Sequence, residues 1–208
     1  MKPFLTCVVS FAVAISAFAE APSAPPISQI FAFYCNSDYS SCPDGFQPQL
    51  GPIQLSDGNF YGTTAYGDTG SVLGTVWQAT PSGDVNTLYT FTANGSGQYV
   101  NGALPDVALV AGANGNLYGV TEEGGPQHSG VFYSLTTTGS QQVLYNFCSL
   151  SGCPDQAARI VLAGDGNFYG ITPSLVFRLT PEGVLEPGPQ IQVPLAPGGH
   201  ISYTHITG

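Results

Sequence analysis

Positive charge is almost missing from this sequence. Lys and Arg together number three against 13 acidic residues, for a formal net charge of −10. If the leader described below is removed, Lys2 goes with it and Arg159 and Arg178 are the bases left. That balance argues against nucleic acid as a partner, because phosphates need clustered Lys and Arg. It argues equally against electrostatic binding to anionic lipid. Charge of either sign is scarce, at 8% of residues, so the surface is mostly neutral and polar. No Gly-Lys-Ser/Thr phosphate loop and no Gly-x-Ser-x-Gly nucleophile elbow occur, and the chemistries built on them are not expected. His128, His200 and His205 are too scattered to suggest a metal site. No metal and no cofactor is expected.

Long apolar runs are also lacking, apart from Phe4 to Ala17. That run is too short to span a bilayer comfortably. Preceded by Lys2 and followed by Ala17-Phe18-Ala19, it reads as a secretory signal peptide over residues 1–19, cut before Glu20. Cys7 lies early in the run, so a lipoprotein anchor is not expected. The mature chain is then expected in the periplasm or outside the cell, with no membrane insertion after cleavage. Four cysteines remain, Cys35 with Cys42 and Cys148 with Cys153. Close, even-numbered cysteines in an exported chain favour disulfides, and local pairing would close two small loops at equivalent places. Their connectivity stays open at this level.

What is present is repetition. Asp57-Gly58-Asn59-Phe60-Tyr61-Gly62 recurs as Asn114-Gly115-Asn116-Leu117-Tyr118-Gly119 and as Asp165-Gly166-Asn167-Phe168-Tyr169-Gly170, at spacings of 57 and 51 residues. Such periods suit four-stranded propeller blades. Asp-Gly or Asn-Gly between apolar runs predicts a hairpin in which both central residues take positive φ. A second strand follows at Gly74–Gly83, Gly130–Gly139 and Ser174–Gly183, and a last one at Thr87–Phe91 and Val143–Phe147. Gln29–Phe33 has the pattern of that last strand, so the mature chain opens on the end of a blade. The third repeat carries Gly188-Pro189-Gln190-Ile191 where a last strand is due. We therefore expect that blade to lack its last strand and Gln29–Phe33 to complete it, with Phe31 near residues 184–193.

The series Asp-Gly-Asn-Phe-Tyr-Gly-Thr-Thr (57–64), Gly-Thr-Val-Trp (74–77), Thr-Pro-Ser-Gly (80–83) and Leu-Tyr-Thr-Phe (88–91) resembles the GloVer tandem repeat. The resemblance covers most of residues 30–183. It implies a secreted or surface bacterial protein with a β-propeller-like array. Phe147-Cys148 followed by Cys153-Pro154-Asp155 also resembles a family feature. The family's biochemical role is undefined, so the resemblance carries over no catalytic residue.

The expected architecture is all-β, a propeller-like array of about three blade repeats, incomplete as a single ring. The repeat domain is expected over 20–208, with repeats near 30–91, 92–147 and 148–193 and an irregular tail at 194–208. Propellers typically have four to eight blades, so three invite several readings: a piece of a longer protein, copies that complete a ring, or an open stack. The abrupt His205-Ile206-Thr207-Gly208 end favours the first.

Candidate chemistry is thin. Asp57, Asn114 and Asp165 could be calcium ligands, but an isolated Asp-Gly-Asn lacks the dense carboxylates of calcium loops and reads better as turn geometry. Glu122 and Glu123, with Asp68 in the equivalent loop, are the weak candidates for glycosidic hydrolysis by paired carboxylates. Trp77 aligns with Tyr133 and Phe177, which predicts packing between blades rather than sugar stacking. Tyr61, Tyr118 and Tyr169 likewise read as structural. The expected role is non-catalytic binding or scaffolding at the bacterial surface. Loops 65–73 and 122–129 would make the contact, because they vary while the frame repeats; their weak candidates are Tyr66, Asp68, Glu122, Glu123 and His128. A glycan or a surface protein is the expected partner. The alternatives are a carbohydrate-active enzyme, a hydrolase or lyase, and a pure spacer.

Overall fold

The computed structural model describes residues 32–33, 35, 42–48, 50–67, 72–105, 107–148, 159–172 and 176–186. The expected leader, the tail, Asp68, Cys153 and Phe31 lie outside these. Among these described residues, twelve strands form three four-stranded antiparallel sheets, each a simple meander. The first holds β1 (Ile53–Gln54), β2 (Phe60–Thr64), β3 (Val72–Ala79) and β4 (Val85–Thr92). The second holds β5 (Val110–Ala111), β6 (Leu117–Val120), β7 (Val131–Leu135) and β8 (Gln141–Asn146). The third holds β9 (Arg159–Leu162), β10 (Phe168–Ile171), β11 (Val176–Leu179) and β12 (Leu185–Glu186). This is the all-β, propeller-like array expected, and the described residues form no closed ring.

Two expectations need correction. The third sheet has a fourth strand of its own, because Leu185 and Glu186 pair with Leu179 and Arg178. The signal was missed because the sequence turns to Pro and Gly directly after these two residues. The hairpin turns also differ in type. At Leu55–Asn59 the amide of Gly58 donates to the Leu55 carbonyl at 3.0 Å and that of Leu55 to the Asn59 carbonyl at 3.1 Å. Gly58 alone takes positive φ, 83°, and Asp57 does not. This is a three-residue loop, a tight turn followed by one left-handed residue. The same bonding closes Gly112–Asn116 and Ala163–Asn167.

The Asp or Asn of each turn is used locally. Asp57 Oδ1 accepts from the Asn59 amide at 3.0 Å, and its Oδ2 accepts from the Asn59 side chain and, at 2.6 Å, from the Tyr61 hydroxyl. Asp165 repeats this with Asn167 and Tyr169. Asn114 instead donates its side-chain N–H to the Tyr118 hydroxyl at 2.9 Å. The Tyr61 hydroxyl bond chiefly holds the Asp57 carboxyl below the usual value, and burial pushes the Tyr61 phenol up.

The last Gly of the six-residue motif has a separate purpose. Gly62, Gly119 and Gly170 lie opposite Trp77, Tyr133 and Phe177 on the neighbouring strand. Each ring lies across its glycine so closely that a Cβ would collide with it. The chain ahead of each sheet then sets a phenylalanine edge-on against that ring, from the segment before the first sheet in one case and from the end of the preceding repeat in the other two: Phe33 on Trp77 at 5.5 Å, Phe91 on Tyr133 at 5.4 Å, and Phe147 on Phe177 at 5.5 Å between centroids. Edge-to-face pairs add about 0.5–1.5 kcal/mol beyond their buried area. Around these joints two cores form. One joins the first and second sheets through Tyr61, Val76, Phe91, Leu117, Tyr133 and Leu135. The other joins the second and third through Tyr118, Phe132, Phe147, Phe168, Phe177 and Leu179.

Candidate functional site

Two short bridges form a rim beside the first and second sheets, where the segment before each of them meets the chain just past its second strand. Gly45 and Gly102 open it, each with its amide bonded three residues back, to the carbonyls of Cys42 (2.7 Å) and Tyr99 (3.1 Å). Phe46 then bridges to Tyr66, and Ala103 to Glu123. One residue on, Gln47 (φ 58°) and Leu104 (φ 56°) are both left-handed without being glycine. Each is held by its carbonyl, which accepts from Ala65 at 3.2 Å and from Glu122 at 2.9 Å respectively. Two equivalent non-glycine residues in a sparsely populated conformation show that the bridges over-determine the backbone there.

Beneath the rim, hydroxyls satisfy the strand ends. Thr64 Oγ1 lies 2.8 Å from Thr75 Oγ1 and donates to the Tyr66 carbonyl at 2.9 Å. In the second sheet Thr121 Oγ1 accepts from the Val131 amide at 3.0 Å and donates to the Glu123 carbonyl at 2.8 Å. Cys35 and Cys42 form a disulfide. It ties the start of the rim to the chain two residues past Phe33. Cys148 is also disulfide-bonded, with its partner outside the described residues.

On this shared frame the side chains differ. Tyr66 is exposed and stacks on Phe46 with centroids 5.2 Å apart and planes 23° from parallel. At the equivalent place Glu123 is exposed beside Ala103. Glu122 and His128 are exposed as well, and His128 is left-handed at φ 53° in the turn that closes the loop. Thus the structure sets Tyr66 and Glu123 at matching positions and brings Glu122 and His128 into the same loop. Asp68 lies outside the described residues, so its relation to the two glutamates is not part of this geometry. Among the described residues no three His, Cys, Asp or Glu side chains converge as a metal site would require.

Phe46 was missed in the sequence. The signal was available: Cys42-Pro43-Asp44-Gly45-Phe46-Gln47 precedes the first sheet as Tyr99-Val100-Asn101-Gly102-Ala103-Leu104 precedes the second. Only Gly, with Asp matched to Asn, is shared, which is too little to align by eye. Trp77 is buried and packs edge-on against Phe33 of the chain before the first sheet, rather than standing on the rim.

Similarity to known proteins follows the fold. A Bacteroides thetaiotaomicron protein of unknown function matches at 18% identity and a TM-score of 0.44, over 65% of this chain and 32% of its own. A candidate gluconolactonase matches at 16% identity and a TM-score of 0.41, over 64% and 44%. A streptogramin B lyase matches at 15% identity and a TM-score of 0.35, over 72% and 56%. The chain thus spans from just under a third to just over half of these structures. No curated protein matches the sequence. Among the described residues no helix is long and apolar enough to cross a membrane. The model of the Gloeobacter/Verrucomicrobia repeat matches residues 26–182, the stretch in which turn, glycine, ring and phenylalanine recur, and the chain belongs to that repeat family.

Proposed function

We propose that this is an exported, non-catalytic binding protein whose rim contacts a neutral glycan at the bacterial surface. One observation carries the reading: two equivalent backbone bridges hold different exposed side chains, Tyr66 on Phe46 in one repeat and Glu123 by Ala103 in the next. A frame that repeats under contacts that vary is how scaffolds present binding residues. A stacked, exposed tyrosine offers a flat apolar face with a polar tip, which suits a sugar ring better than a polyanion. The leader pattern at 1–19 and the Cys35–Cys42 disulfide agree with an oxidising compartment.

The test is affinity electrophoresis of the purified chain through gels containing neutral polysaccharides, beside Tyr66→Ala and a Glu122→Gln/Glu123→Gln double variant. Retardation by at least one polysaccharide, weakened several-fold by Tyr66→Ala, is expected. Release of reducing sugar or unsaturated product that the double variant abolishes would overturn the reading in favour of an enzyme. Unretarded migration on every gel would overturn the glycan assignment.

A further inference from the structure

The two joints inside the array define which side of a sheet faces forward to the next one. In the first sheet Ile53, Tyr61 and Val76 face forward and pack into the first core. In the second the equivalent Val110, Tyr118, Val120 and Phe132 do the same toward the third. Tyr61, Val76, Val120 and Phe132 are fully buried there, and Tyr118 is 3% exposed. Register carries these positions onto the third sheet as Val161, Tyr169, Ile171 and Val176. Their side chains have the same character but not the same cover. Val161 is 54% exposed, and Tyr169, Ile171 and Val176 are only half-buried.

On the backward side of the first sheet Trp77 and Ala79 are buried, with Phe33 against Trp77, while β1 and the start of β2 are open. Leu109 and Leu117 of the second sheet, and Ile160 and Phe168 of the third, are buried against the sheet before them. Their equivalents in the first sheet, Pro52 and Phe60, are exposed and half-buried. Among the described residues, the third sheet presents a forward face of the kind that twice receives a backward face, and the first sheet presents part of such a backward face at Pro52 and Phe60.

We infer that the third sheet's forward face docks the first sheet of a second copy of this chain, head to tail. The argument is continuity: the third sheet's partly exposed forward face extends an interface already made twice by the same positions, so its natural complement is another blade of this repeat. A head-to-tail contact closes into a ring when the rotation allows it. Two copies would bring three sheets each, six in all, which lies within the usual propeller range of about four to eight blades.

The test is the solution mass of the exported chain by light scattering, with two charge insertions at exposed positions: Val161→Asp on the forward face and Pro52→Asp on the backward face. The wild type is expected to be a discrete dimer. Each variant should be monomeric yet keep the wild-type far-ultraviolet circular dichroism. Mixed together, the two variants should dimerise again, since one forward and one backward face remain intact. A monomeric wild type would overturn the inference and leave the face to another segment of its own chain. A dimer that survives Val161→Asp, or variants that fail to recombine, would overturn it as well.

Discussion

Replacing Tyr133 by Phe should make this protein more stable. The Tyr133 ring is fully buried between Gly119, which it covers, and Phe91 of the preceding sheet. Its hydroxyl is buried too, with no hydrogen-bond partner. An unsatisfied buried hydroxyl costs about 1–3 kcal/mol. The third repeat already has Phe177 at this position, packed on Phe147 in the same edge-on manner, so the joint accepts a phenyl ring. Tyr133→Phe removes the unpaired oxygen and leaves the ring contacts in place. Allowing for the lost dispersion contacts of one atom, a net gain of about 1 kcal/mol is expected. In a chain of this size that raises Tm by roughly 2–4 °C. Burial also pushes the Tyr133 phenol far above its ordinary value. A group whose folded pKa is raised contributes stability below its unfolded pKa and loses it as pH rises toward the folded one. The advantage of Tyr133→Phe should therefore widen above about pH 10, the unfolded tyrosine value. Thermal unfolding of both proteins at pH 7 and at pH 10.5 measures both effects. A Tm that falls in the variant, or a gap that narrows at the higher pH, would refute the orphaned-hydroxyl argument.

Other outcomes follow from the same geometry. Gly62→Ala places a methyl group against the Trp77 ring and should cost about 1–3 kcal/mol; unchanged urea unfolding would show that the ring can move aside freely. Asp57 has a lowered folded pKa, held chiefly by Tyr61, so its contribution is present above the unfolded carboxylate value and is lost as pH falls through the folded one. Asp57→Asn, which imitates Asn114 of the second repeat, should flatten that acid loss, read as Tm between about pH 2 and 5; an equally steep loss would count against it. Removing the Cys35–Cys42 bridge by a double Ser substitution reopens a loop of about eight residues and should lower stability by about 2–3 kcal/mol. Guanidinium unfolding with an unchanged midpoint would contradict that figure.

The candidate rim was legible in the sequence only in part. Tyr66, Glu122, Glu123 and His128 stood out because they lie in the loops that break the repeat. Phe46 did not, because it is 20 positions from Tyr66 and is brought against it by a backbone bridge that no local pattern announces. The left-handed Gln47 and Leu104 gave no warning either, since no residue preference marks them and their bridges impose the conformation.

Local chemistry in the sequence determined the all-β class, the repeat and the places where the chain turns. Those features depend on neighbours a few residues apart: Gly at the left-handed position, Asp or Asn beside it, and β-rich segments on either side. The tertiary structure decided the rest. Whether Gly62 is a turn residue or a seat for Trp77 depends on the strand opposite. Whether Trp77 binds ligand or packs inside depends on Phe33, which arrives from the chain before the first sheet. Which faces are buried depends on how sheets stack, so that Tyr118 is hidden and Tyr169, in the same motif, is half open. Equivalent local sequences acquire different exposure because burial is a property of the neighbour a sheet meets, and not of the sheet alone.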